Sequence, residues 1–170
     1  MTPDRVRSIL DFWFLPSNHP GHNHYRPEWC WQDESFDAAI RARFGSEVAR
    51  ALALEGNLRI DTTDARTGLA TILLLDEFPR RLWCSTTQAE AGLAPALALA
   101  KTLVSSGRDK NLPPIQRWFT FIPFLRSDQL IDRECAVALF NGLRREAQEP
   151  AFELAYDFAV RQRDALEHCR

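Results

Sequence analysis

The stretch Leu69 to Arg81, LATILLLDEFPRR, sets the terms on which this chain can fold. An apolar run ends abruptly in Asp76-Glu77, then Phe78-Pro79, then Arg80-Arg81. A run this continuous belongs in a core, so two carboxylates and two guanidiniums arrive together at its edge. Charges placed there are costly unless paired. The spot is therefore either a structural lock or a binding site. Pro79 disfavours helix at Phe78, so a helix starting near Thr63 or Asp64 is expected to end at about Glu77. On that reading Asp76 and Glu77 sit at a helix C-terminus, where the dipole disfavours negative charge. Asp76 and Arg80 then straddle a bend and need not form an i,i+4 pair.

The dominant period elsewhere is also helical. Thr2 is placed to cap a first helix with Pro3 at its first position. Val6, Ile9, Leu10, Trp13 and Phe14 form its apolar stripe, and Pro16 stops it. A loop rich in Pro, Gly, Asn and His follows to Pro27. A second helix starts near Asp33 or Ser35 and carries Phe36, Ile40, Phe44, Val48, Ala51 and Leu52 on one side, with Gly56 as its stop. A fourth helical region covers about Thr86 to Ser106, with Pro95 as a possible break, and ends at Gly107. Pro113-Pro114 opens a short aromatic helix that Pro123 is expected to close. Ser127 suits the cap of a helix from Asp128 to about Glu149, and Pro150 precedes a last helix to about His168. No segment alternates with period two. The expectation is an all-α fold of about seven helices in antiparallel hairpins.

A chain of 170 residues suits a single domain over 1–170. A net charge of −2 gives no general attraction to nucleic acid or to an anionic membrane, so neither is expected as a partner. Of 21 basic residues only Lys101 and Lys110 are lysines; arginine suits bidentate recognition of carboxylate and phosphate. The cysteines Cys30, Cys84, Cys135 and Cys169 are scattered, with no CxxC. That pattern fits reduced thiols in a cytoplasm and neither a disulfide framework nor a zinc site. The N-terminal MTPDRVRSILDFWF is charged where a signal peptide needs its apolar core. No apolar stretch approaches the roughly 18 residues of a membrane span.

Several motifs together resemble a bacterial family known as domain of unknown function number 924, whose fold is similar to tetratricopeptide-repeat arrays. Leu10 to Phe14 match its LDFWF. Trp29, Asp33, Phe36 and Asp37 match its WF-x-x-D-x-x-FD, with Cys30 in place of Phe. Leu74 to Leu82, LLDEFPRRL, resemble its LLDQFPRN, and Pro123 to Arg133, PFLRSDQLIDR, its PFEHSEDLADQ. The resemblance implies a tetratricopeptide-like helical array and no known reaction. The family pattern continues into a GRFPHRN loop beyond Arg170 of this chain, so a divergent member without that loop is expected.

Two clusters are candidates for function. The first is Asp76, Glu77, Arg80 and Arg81, which would either orient a polar ligand, perform acid–base work, or lock a helix end. The second is Arg126, Ser127, Asp128 and Asp132, where a helix start would either present N–H groups to an anion or be plainly capped, leaving Arg126 for function or for pairing with Asp76. A groove joining them would bind a peptide or a small anionic ligand, walled by Phe78 and Phe124, with Arg80 and Arg126 holding its carboxylate or phosphate and Asp76 orienting Arg80 or accepting a donor from the ligand. The alternatives are a small-molecule enzyme with Asp76 or Glu77 as general base, and a homo-oligomer using an apolar face around Phe152, Tyr156, Phe158 and Leu166. His19, His22 and His24 crowd one loop, HPGHNH, but without acidic or cysteine ligands inside it no metal is expected. No cofactor motif appears.

Overall fold

The computed structural model describes residues 1–31, 33–53 and 64–168. Among them there is no strand, and eight α-helical segments carry the fold. They are α1 (Pro3–Phe14), α2 (Glu34–Ala53), α3 (Ala65–Ile72), α4 (Phe78–Leu82), α5 (Leu93–Ser105), α6 (Pro114–Arg126), α7 (Leu130–Ala147) and α8 (Pro150–His168). A π-helical turn, Leu73–Glu77, joins α3 to α4 without a break. The three pieces form one rod, which leaves the expected seven helical rods. Sequential packing of α6 on α7 and α7 on α8 dominates, an arrangement compatible with a tetratricopeptide-like array. The expected stop at Gly56 and the cysteine Cys169 lie outside the described residues.

Local chemistry explains the helix ends. Thr2 accepts a hydrogen bond from the Arg5 N–H at 3.4 Å, with Pro3 in the first turn of α1. Asp33 accepts from the N–H groups of Ser35 and Phe36 at 2.9 and 3.0 Å at the start of α2. Asp64 does the same for Arg66 and Thr67 ahead of α3. Gly107, at φ +69°, supplies the left-handed residue after α5. One apolar cluster runs from Val6 in α1 to Ala159 in α8, with Trp13, Phe14, Phe44, Phe78, Phe121 and Phe140 fully enclosed.

Two prolines do not end helices as their local chemistry predicts. The rod containing Leu75 continues through Pro79 to Leu82, because the intervening turn is wide. The Phe78 N–H donates five residues back to Leu73, and a π turn of this kind relaxes the spacing that a proline ring would otherwise violate. The Leu75 carbonyl, four residues before Pro79, lies against Gly92, where a Cβ would fall 2.0 Å from that oxygen. Asp76 and Glu77 therefore lie inside a continuous rod, not at a C-terminus, and burial is what penalises the Asp76 charge. Pro123 likewise sits inside α6, buried, and the helix runs on to Arg126. That extension delivers Arg126 to the first cluster.

Three other expectations are corrected by packing. Helix α7 begins at Leu130, later than Asp128, with Gln129 at its cap. Phe78 and Phe124 are core residues, 0% and 3% exposed, and wall no groove. On α8, Phe152 is buried and Tyr156 packs beneath the Arg144 guanidinium at 3.9 Å, so the large exposed apolar residues of this helix are Leu154 and Phe158.

Candidate functional site

The wide turn at 73–77 changes what Asp76 and Glu77 can reach. Adjacent residues of a helix do not normally share a partner. Here both carboxylates converge on one nitrogen: Arg126 Nη1 lies 2.6 Å from Asp76 Oδ1 and 3.0 Å from Glu77 Oε1. Asp76 and Glu77 are 2% and 7% exposed. The contacts are ion pairs in distance, yet hydrogen-bond geometry is lacking for Glu77 Oε1 and Arg126 Nη1, and Asp76 Oδ2 has no hydrogen-bond partner. Burial pushes the Asp76 carboxyl up to about 6, with Arg126 opposing and Glu77 adding to the rise. Burial works against the Arg126 charge, but Glu77 and Asp76 together hold its guanidinium above the usual arginine range.

Two cavities meet at this cluster. The larger, about 790 Å³, runs between α6 and α8, with Trp118, Ile122, Leu154 and Phe158 along it and Arg80, Arg126 and Arg161 among its polar lining. The smaller, about 280 Å³, is lined by Glu77, Arg81 and Cys84 and shares Arg80, Arg126 and Cys30 with the first. Glu77 faces the smaller cavity, whereas Asp76 borders neither, so direct contact with a ligand falls to Glu77. Cys30 stands at the junction and accepts a hydrogen bond from the Tyr25 hydroxyl at 3.1 Å; that bond is the first cause holding the Tyr25 phenol up at about 12.

The remaining residues singled out in the sequence separate into distinct roles. Arg80 pairs with Glu90 at 3.6 Å across α4 and the following turn, and its charge also favours the ionised form of Asp76. Arg81 ties the 28–31 segment to α4, donating to the carbonyls of Trp31, at 2.9 Å, and Glu28, and pairing with Asp37 at 3.4 Å. Ser127 is buried and donates to Asp132 Oδ2 at 2.7 Å, while Lys101 Nζ meets Asp132 Oδ1 at 2.6 Å. Ser127 and Asp132 border neither cavity, and exposed Asp128 accepts from the Gln129 side chain at 2.8 Å. In the histidine loop, His22 Nδ1 meets the Leu15 carbonyl at 2.5 Å and His19 Nδ1 accepts from Gly21 N–H at 2.9 Å. Among the described residues no three or more His, Cys, Asp or Glu side chains are placed to hold a metal ion.

Sequence reasoning assigned Phe158 to an oligomer face and missed the rest of the α8 wall of the groove. Its signal was present: 151, 154, 155, 158, 161 and 162 recur at helical spacing on one face and all line the larger cavity. It also missed Lys101, whose partner lies 31 positions away in sequence.

These observations define an all-helical protein with a buried carboxylate–guanidinium cluster where two cavities join. Residues 9–169 match the family described as bacterial protein of unknown function (DUF924), and the chain belongs to that family. A solved structure of a protein of unknown function, ATU0120 from Agrobacterium tumefaciens, aligns at TM-score 0.78 and 24% identity, covering 98% of this chain and 85% of that one. At that identity the likeness shows the fold alone. No curated protein matches the chain. Among the described residues no helix is long and apolar enough to cross a membrane.

Proposed function

We propose that this protein is a binding module whose groove takes a small amphipathic carboxylate. One observation carries this: an apolar trough that ends at guanidiniums. Trp118, Ile122, Leu154 and Phe158 supply the apolar surface, and Leu154 and Phe158 are 68% and 46% exposed. Arg126 is committed to Asp76 and Glu77. The charges that meet a ligand are therefore Arg80, held only at 3.6 Å by exposed Glu90, and Arg161 on the exposed face of α8. A guanidinium accepts a carboxylate through two parallel N–H donors, which fixes orientation as well as charge. A cavity of about 790 Å³ falls in the size range of small-molecule sites, which favours a small ligand over a peptide.

Titration calorimetry with octanoate and octanol tests the reading. Octanoate is expected to bind at least about tenfold more tightly than octanol, the scale of one charge-assisted pair. Equal binding would remove the guanidiniums from the site, and no binding of either would remove the groove.

A further inference from the structure

We propose that the ligand is an apolar α-amino acid whose ammonium group sits in the smaller cavity against Glu77. This rests on the reading of the groove as a carboxylate site and names the ligand's second polar group. Glu77 is more than nine-tenths buried and lines the smaller cavity, and its Oε1, 3.0 Å from Arg126 Nη1, is paired in distance but lacks hydrogen-bond geometry. Its ion-pair partner, Arg126 Nη1, is shared with Asp76, which also has an oxygen without a hydrogen bond. Both carboxylates converge on one guanidinium nitrogen, and Arg80 acts on Asp76 through space without a hydrogen bond, which leaves the floor of the site short of donors. A buried acceptor in that state calls for a donor, and an ammonium brings three. A second anion would worsen the imbalance.

The rest of the ligand follows from spacing. Glu77 and Arg80 are three residues apart in one rod and both line the smaller cavity. Side chains at that spacing are neighbours on a helix face. An α-amino acid carries its ammonium and carboxylate on the two sides of one carbon, which suits an acceptor and a guanidinium held side by side. Arg80, Arg126 and Cys30 are common to both cavities, so a side chain on that carbon enters the trough toward Trp118, Ile122 and Phe158. A simple acid leaves Glu77 without a donor, and a simple amine leaves Arg80 without an anion.

Titration calorimetry with L-phenylalanine, N-acetyl-L-phenylalanine and 3-phenylpropionate tests this on the wild type and on Glu77→Gln. Phenylalanine is expected to bind about tenfold or more tightly than either analogue. Glu77→Gln is expected to lose that advantage, the ratio of phenylalanine to 3-phenylpropionate affinity falling to about one. Phenylalanine binding no better than 3-phenylpropionate would overturn the ammonium site and leave the carboxylate groove standing. If none of the three binds, both readings fall. Should Glu77→Gln fail to fold, as a thermal melt would show, the three wild-type titrations decide the matter alone.

Discussion

The turn after α6 feeds two buried acidic clusters, and they are finished to different degrees. Arg126, the last residue of α6, enters the cluster of Asp76 and Glu77. Ser127, the next residue, enters the cluster of Asp132 and Lys101. Asp132 is 4% exposed and both its oxygens are partnered, by Lys101 at 2.6 Å and Ser127 at 2.7 Å. Ser127 also accepts from Gln129 N–H at 3.2 Å, and its carbonyl accepts from Arg133 Nε at 2.7 Å. Equally buried Asp76 and Glu77 share a single guanidinium and leave oxygens without hydrogen bonds. The completed cluster borders neither the groove nor its side cavity; Glu77 and Arg126 of the incomplete one do. A satisfied buried network holds elements together. An unsatisfied one beside a cavity has acceptors left over for a donor, which is the difference the proposed ligand reading rests on.

The largest expected effect comes from removing the single cation of the incomplete cluster. Arg126→Ala leaves two buried carboxylates facing each other and is expected to cost about 3–5 kcal/mol in chemical denaturation at pH 7. Lys101→Ala is the matching change in the completed cluster. Lys101 is half-exposed and Asp132 keeps Ser127, so a loss of about 1 kcal/mol is expected. Equal losses would show that the two clusters are energetically alike and break the comparison.

A smaller effect follows from Asp76 alone. Its carboxyl stands near pH 6 in the folded protein because it is buried, against an ordinary value of about 3.9 in the unfolded chain. Between those values the folded state holds a proton that the unfolded state has released. This group's contribution is therefore fully present below about pH 4 and is lost as pH rises through about 6. The shift of roughly two units corresponds to about 3 kcal/mol. Asp76→Asn removes the titration, so stability of the variant relative to wild type is expected to rise from pH 4 to pH 7 in a urea series. A difference independent of pH would mean that Arg126 offsets burial completely, and that the cluster is finished after all.

How much of this was legible before the structure divides along the same line. Helix content, the caps at Thr2, Asp33 and Asp64, and the core stripe of α1 follow from rules that act within a few residues. The junction of Asp76 with Arg126 was readable only as one option, since two charged segments 50 positions apart have other candidate partners. The prolines misled because the rule for proline is local and its remedy is not. At Pro79 the remedy is a wide turn and a glycine from another segment against the Leu75 carbonyl. At Pro123 a buried ring lies in the core while α6 continues. The groove was missed on one side because a helical face announces itself by spacing, but its partner across space does not. Family membership came from motifs, and motifs carry no ligand.

The smallest effect on folding is expected at the rim. Arg80 is partly exposed and meets exposed Glu90 at 3.6 Å, a pair of the kind that contributes between nothing and about 1 kcal/mol. Arg80→Ala should therefore change stability by less than about 1 kcal/mol while weakening octanoate binding about tenfold or more. Floor and rim would then be separable by one pair of measurements, with Arg126 carrying the fold and Arg80 carrying the ligand. A large loss of stability in Arg80→Ala would place Arg80 with the lock instead. Unchanged octanoate binding in a stable Arg80→Ala protein would leave Arg161, among the described residues, as the rim cation still able to meet the carboxylate.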